Sequence, residues 1–200
     1  QDFLDLLRQH LPGIQQIVVG PDWRFGARGR GDVQTLRDYA PSAGWRVQVL
    51  PESCIDGERI SSTRIRLALQ RADIPEANRL LGRPYTLTGV VQPGKQFGRQ
   101  LGFPTANFPP DQELIPPDGV YAMRVWVDGQ RWPGAGYLTQ LPDLVEVHLL
   151  DYSGDLYGKS LAVELVAFRR PPEALPNPET LRQRIAEDVA AIRILLEKAP

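Results

Sequence analysis

Four stretches of this sequence carry residue types whose spacing can do chemistry. The first is Gly94-Lys95-Gln96-Phe97-Gly98-Arg99-Gln100-Leu101-Gly102-Phe103-Pro104-Thr105-Ala106-Asn107. Glycines at 94, 98 and 102, mixed with Lys95 and Arg99, make a backbone arch with cations, the combination a polyphosphate requires. Thr105 and Asn107, two apart, point to the same side of an extended segment. Their neutral oxygens there form a partial shell for a magnesium ion that keeps its waters and nucleotide oxygens. No Gly-Lys-Ser/Thr follows, so this is not a P-loop, and a glycine-rich hairpin joining two strands is the competing reading.

The second stretch is Val145-Glu146-Val147-His148-Leu149-Leu150-Asp151. On a strand, Glu146 and His148 share one face and Val145, Val147 and Leu149 the other. A kinase acting on an alcohol needs a base to take the hydroxyl proton, and Glu146 is the candidate; a solvated face on an edge strand is the alternative, and His148 reads as structural. The third is Ser61-Ser62-Thr63-Arg64-Ile65-Arg66, a hydroxyl-rich helix start whose free N–H groups attract anions and whose arginines offer forked donors; a capped helix with a charged face reads equally. The fourth is Gly20 to Gly26 with Arg28, Arg30 and Asp32, including Asp22, Arg24 and Phe25. It directly follows a strand, where open α/β sheets bind ligands; a charged surface loop competes with that reading.

The elements that position these stretches change character along the chain. Residues 1–81 alternate helix and strand: an amphipathic helix through Phe3, Leu4, Leu7 and Leu11 stopped by Pro12-Gly13, and a buried parallel strand from Ile14 to Val19. Then come a helix capped by Asp32, a strand at Trp45 to Leu50, and two helices ending at Gly82. After Arg83-Pro84, short alternating runs at 85–91, 120–127, 145–150 and 161–168 predict a small antiparallel barrel or sandwich. Leu181, Ile185, Val189, Ile192 and Leu196 recur at helical spacing and predict one helix laid over the barrel. The fold class is thus α/β followed by β-barrel, with a boundary near residues 81–84.

Composition narrows the function. The 200 residues carry 23 Lys+Arg against 24 Asp+Glu, a net charge of -1, which excludes a protein whose main task is coating nucleic acid. The single cysteine, Cys54, excludes an intrachain disulfide framework. No apolar run reaches the roughly 20 residues of a membrane span. We expect a cytoplasmic protein with small-molecule partners and neither nucleic acid nor membrane among them.

The pieces occur together in one family. Val18-Val19-Gly20-Pro21-Asp22-Trp23-Arg24-Phe25-Gly26, Ile60 to Arg66 and Leu81-Gly82-Arg83-Pro84-Tyr85 come first in order. Gly98 to Asn107, Gly119-Val120-Tyr121-Ala122 and Glu146 to Gly158 follow, and the set resembles the bacterial bifunctional riboflavin kinase/FMN adenylyltransferases, or FAD synthetases. The resemblance implies that residues 82–200 are a riboflavin kinase module, a β-barrel with a C-terminal helix, phosphorylating riboflavin with MgATP to give FMN. It implies Thr105 and Asn107 as ligands of Mg2+ and phosphate, Glu146 as the base, and Gly94, Lys95, Gly98, Arg99 and Gly102 as the loop over the ATP phosphates.

Residues 1–81 resemble the C-terminal part of the Rossmann-like nucleotidyltransferase domain that makes FAD from FMN. Ser62, Thr63, Arg64 and Arg66 fall in its phosphate-binding segment, and Asp22 and Phe25 near its flavin side. The family's Gly-Phe-Asp-Gly-x-His-x-Gly-His element has no counterpart here. The sole methionine is Met123, so we expect further sequence upstream and, without it, an exposed sheet edge. Gly134 to Asp143 is shorter than the family's Asn-x-Gly-x-Arg-Pro-Thr stretch, through either an omitted loop or an altered flavin pocket. A noncatalytic flavin-binding or partner-binding barrel is the alternative function.

Overall fold

The computed structural model describes residues 2–94 and 97–199. The chain forms two compact units, Gln1–Ile60 and Ser61–Pro200. In the first, α1 (Asp2–His10), β1 (Gln16–Val19), α2 (Val33–Ala43) and β2 (Arg46–Val49) surround a core of Leu4, Val19, Phe25, Leu36, Ala40 and Trp45, and β3 (Cys54–Ile55) and β4 (Glu58–Arg59) pair as a small hairpin. Asp32 caps α2 as expected, accepting from the Thr35 amide at 2.9 Å. Strands β1 and β2 pair in parallel, Ile17 opposite Val47.

The expectation of a buried strand at 14–19 is corrected. Only Val19 is buried and Val18 is 50% exposed, because among the described residues β1 has β2 as its single strand neighbour. A run of apolar residues fixes what a strand would bury, and the covering layer decides whether it does.

The second unit opens with α3 (Ser62–Gln70) and α4 (Ile74–Leu81). It continues through β5 (Tyr85–Val90), the single turn α5 (Phe97–Gln100), β6 (Ala106–Phe108), β7 (Gly119–Val127), β8 (Gln130–Gln140), β9 (Asp143–Leu149), β10 (Ser160–Arg170) and α6 (Pro178–Lys198). The compact units divide ahead of the change of texture at 81–84. Ala68, Leu69, Ile74 and Ala77 belong to the same buried cluster as the barrel interior, and Asn78 ties α4 to it, donating to the Leu165 carbonyl at 2.8 Å and accepting from the Tyr85 amide at 2.7 Å.

The six strands run antiparallel in the order β5-β10-β7-β8-β9-β6. The sheet curls until its two edges meet: the Gln92 amide donates to the Asn107 carbonyl and the Asp111 amide to the Thr88 carbonyl, each at 2.8 Å. Gly89 permits the closure, since a Cβ there would stand 2.4 Å from the Phe108 ring. Strands β8 and β9 pair residue for residue up to Gln140 opposite Asp143. Among the described residues no helix is long and apolar enough to cross a membrane.

Helix α6 starts at the cap Asn177 and lies on the outer face of β7, β8 and β10, burying Ile192 against Val120 and Ala122. Arg193 fastens it to the end of β9 with two bonds to Asp151, at 2.7 and 2.8 Å. That hydrogen-bonded guanidinium holds the Asp151 carboxyl below the usual carboxylate range. A depressed folded-state pKa adds stability above the unfolded carboxylate range, and this is lost as pH falls through the folded value. Arg193→Gln is therefore expected to lower the melting temperature at about pH 7, with the gap to the parent closing by about pH 2; a gap independent of pH in calorimetry would contradict the linkage.

Candidate active site

Strand β9 alternates as its sequence predicts: Val145, Val147 and Leu149 point into the barrel, while Glu146 and His148 stay half-buried on the outer face. Register then assembles a row. Asn107 on β6 is opposite Glu146, Glu146 opposite Tyr137 on β8, Tyr137 opposite Val120 on β7, and Val120 opposite Arg170 on β10. Directly opposed residues hold their Cβ atoms roughly 4.5–5.5 Å apart on one face, so the five side chains form a continuous strip beneath α6. All five line one cavity of about 440 Å3, whose other wall is the N-terminal half of α6, with Leu181, Ile185, Asp188 and Val189. That explains why the first apolar residues of the α6 stripe are only half-buried: they face an opening.

The glycine-rich segment lies across one end of this strip. Gly98 sits so close beneath the chain that a Cβ would fall 2.5 Å from the Phe103 carbonyl oxygen and 3.4 Å from Thr105 Oγ1. The Phe103 amide closes the turn onto the Gly98 carbonyl at 2.8 Å. Gly94 covers Asn107 as closely, at 2.9 Å from Cβ to the amide carbon. Thr105 and Asn107 are in contact: Asn107 Nδ2 donates to Thr105 Oγ1 at 3.2 Å and to the Thr105 carbonyl at 3.1 Å. Lys95 lies outside the described residues.

Thr105 also lines a second cavity of about 640 Å3, together with Arg99, Tyr152, Asp155 and Tyr157. The two cavities therefore share a wall at the Thr105 side of the row. His148 is structural here, its Nδ1 donating to the Pro104 carbonyl at 2.8 Å while Phe103 packs edge-on against the ring. Burial, followed by the charges of Asp118 and Glu146, pushes the Tyr137 phenol up, which keeps it a neutral O–H group.

The remaining predicted residues lie outside both cavities. Asp22 is paired with Arg59, which also reaches Glu52 at 3.0 Å, and Phe25 is a core residue stacked on Trp23 at 4.6 Å. Ser62, Thr63 and Arg66 are exposed on the first turns of α3, capped by Ser61, and Arg64 pairs with Glu76 at 3.2 Å. Sequence reasoning missed Tyr137, Arg170 and Asp188. The signal for Tyr137 was the period-two pattern of β8, with Gly134, Gly136 and Leu138 inward and Ala135, Tyr137 and Thr139 outward.

Fold and site define an architecture: a closed six-stranded antiparallel barrel with one long helix over its outer face and a glycine-rich arch packed on a Thr/Asn pair. The riboflavin kinase family model, Flavokinase, matches residues 81–196, and the chain belongs to that family. The FAD synthetase model matches residues 1–64. The bifunctional riboflavin kinase/FMN adenylyltransferase of Pseudomonas fluorescens is 38% identical over 97% of this chain and 65% of its own length. The protein of the same description from Escherichia coli K12 is 36% identical over 96% of this chain and 64% of its own. The chain thus spans less than two thirds of these relatives. A solved structure described as a macrolide-efflux protein from Streptococcus pneumoniae superposes with a TM-score of 0.76 at 28% identity, over 89% of this chain and 60% of that one.

Proposed function

We propose that residues 82–200 are a riboflavin kinase module that transfers the γ-phosphoryl group of ATP to the terminal ribityl hydroxyl of riboflavin, giving FMN and ADP. The observation that carries this is the placement of Glu146, Asn107 and Thr105 side by side where two cavities share a wall. The base must stand beside the alcohol, so riboflavin takes the cavity that Glu146 lines, with Tyr137 and the apolar face of α6 around the flavin ring. ATP takes the other, with Arg99 in its wall and the glycine arch, whose Gly98 lines the flavin cavity, reaching its phosphates where the two cavities meet at Thr105. The hydroxyl oxygen attacks the γ-phosphorus, the bond to the bridging oxygen breaks, ADP carries away that electron pair, and the hydroxyl proton passes to the Glu146 carboxylate.

Thr105 and Asn107 suit Mg2+. They offer neutral oxygens, and no cluster of three or more His, Cys, Asp or Glu that could hold a metal occurs among the described residues. A shell completed by water and nucleotide phosphate is what this small ion favours. Bound there, it would neutralise phosphate charge.

For residues 1–81 we propose the C-terminal part of a nucleotidyltransferase-like domain, although α3 and α4 pack with the barrel. Ser62, Thr63, Arg64 and Arg66 would take phosphate and Asp22 and Phe25 would lie toward the flavin. It would adenylylate FMN to FAD when joined to the rest of that domain. The partners are riboflavin, FMN and ATP, and the setting is the cytoplasm.

Incubating the chain with riboflavin, ATP and magnesium and resolving the flavins chromatographically should yield FMN. Riboflavin bound but unconverted would replace the kinase with a noncatalytic binding barrel.

A further inference from the structure

Asn107 and Thr105, the candidate ligands of metal and phosphate, are held in different ways. Asn107 belongs to the barrel: it is opposite Glu146 in the ladder of β6 and β9, and its carbonyl accepts from the Gln92 amide at 2.8 Å. Thr105 lies outside that ladder, which ends at Ala106 opposite Val147. The residue before it is Pro104, which has no N–H with which to continue the pairing. Thr105 is therefore the first residue beyond the sheet, where the chain comes out of the glycine arch.

A side chain of β9 takes the place of the missing rung. His148 Nδ1 stands 2.8 Å from the Pro104 carbonyl oxygen. A carbonyl only accepts, so Nδ1 carries a proton, in the neutral imidazole and in the imidazolium alike. The same ring meets Phe103 edge-on, with centroids 5.6 Å apart. His148 thus grips two consecutive residues immediately ahead of Thr105, and it does so from a rigid strand, between the buried Val147 and Leu149. The arch holds the same turn through the Phe103 amide, which donates to the Gly98 carbonyl at 2.8 Å. The path of the chain into Thr105 is set by the arch, by the two bonds from the Asn107 amide and by this imidazole.

We propose that His148 is a positioning residue for phosphoryl transfer: by donating to the Pro104 carbonyl it sets Thr105 Oγ1 beside Asn107, where metal and phosphate bind. The proposal rests on the kinase reading, which makes Thr105 a ligand. A ligand-bearing segment displaced by about 1 Å costs as much as about 10²-fold in rate, whereas a donor that only satisfied a carbonyl would register in stability alone.

Three variants separate the Nδ1 donor from the rest of the ring. His148→Asn keeps an N–H near the place of Nδ1, His148→Gln moves it to the place of Nε2, and His148→Phe keeps a ring without an N–H. On the full chain, FMN formation and calorimetric binding of MgADP are measured, together with riboflavin affinity from fluorescence quenching and a melting curve. His148→Phe and His148→Gln should lose at least about tenfold in kcat. Both should weaken MgADP by about two- to tenfold, the worth of one ordinary hydrogen bond, with riboflavin affinity within about twofold of the parent. His148→Asn should restore kcat and MgADP binding to within about threefold, because the donor is back in place. Parent-like kcat and MgADP binding in His148→Phe overturn the proposal, and so does a loss confined to riboflavin affinity or to melting temperature. Should His148→Phe not fold, the other two variants decide alone: equal behaviour of asparagine and glutamine, or activity kept by glutamine and lost with asparagine, overturns it. In each of these cases the parent still forms FMN, whereas a parent that binds riboflavin and leaves it unconverted strikes the kinase reading itself.

Discussion

Glu146→Gln is expected to lower the turnover of riboflavin to FMN by about 10²–10⁴ while leaving the barrel folded. Glutamine keeps the shape and the hydrogen-bonding reach of the side chain and removes only its capacity to accept a proton. The barrel core does not depend on that charge, because the inward side chains around it are Val145 and Val147, each fully buried. Asn107 and Tyr137, the two residues opposite Glu146, are neutral, so neither can substitute as base at neutral pH. An alcohol is a weak nucleophile until its proton has somewhere to go, and the effect should therefore fall on kcat, with KM for MgATP nearly unchanged. Steady-state kinetics on the purified variant, with a melting curve to verify the fold, is the measurement. Turnover within twofold of the parent would remove Glu146 from the role of base and leave positioning as the source of catalysis.

The strand that carries Glu146 was legible because its two faces meet different surroundings, and alternation records that difference locally. The long helix was legible for the same reason. Strand β8 was not, since Pro133, Gly134 and Gly136 read as breakers. A Cβ on Gly136 would lie 2.3 Å from Met123 Sδ, and one on Gly134 would lie 3.0 Å from both Val125 and Val147. Glycine is set there by bulky residues on the two neighbouring strands, β7 and β9, a constraint no local window contains. Asp188 was hidden in a related way: three residues after Ile185 and four before Ile192, it occupies the buried stripe of α6, where a carboxylate reads as a break in the pattern. Its partners come from β10, where Arg170 binds it at 2.7 and 2.9 Å and Arg169 stands 3.7 Å away. The helices α3 and α4 show a further limit of local pattern, since amphipathicity says that Leu69, Ile74 and Ala77 are buried and leaves open which unit they are buried against.

Asn107→Leu is expected to reduce kcat by about 10²–10³, the usual consequence of losing one polar group aimed at developing charge, and to raise the magnesium concentration that half-saturates the reaction. Both N–H groups of the Asn107 amide are taken by Thr105, one by Oγ1 and one by the backbone carbonyl, so the amide oxygen is the atom available to a ligand. Thr105 Oγ1 receives one of those bonds and contributes the second oxygen. Two neutral oxygens beneath the glycine arch are ligands for a hard cation carrying phosphate and water, and leucine removes one of them at nearly constant volume. Gly94, where an added Cβ would stand 2.9 Å from the Asn107 amide carbon, then still meets a group of similar size. Stability should change by only about 0.5–1.5 kcal/mol, the net worth of an ordinary hydrogen bond. Riboflavin binding, followed by quenching of flavin fluorescence, should persist, because the cavity keeps Glu146, Tyr137 and the apolar face of α6. Thr105→Val should act in the same direction through the second oxygen. An unchanged magnesium dependence in both variants would sink the assignment of this pair as the metal and phosphate ligands.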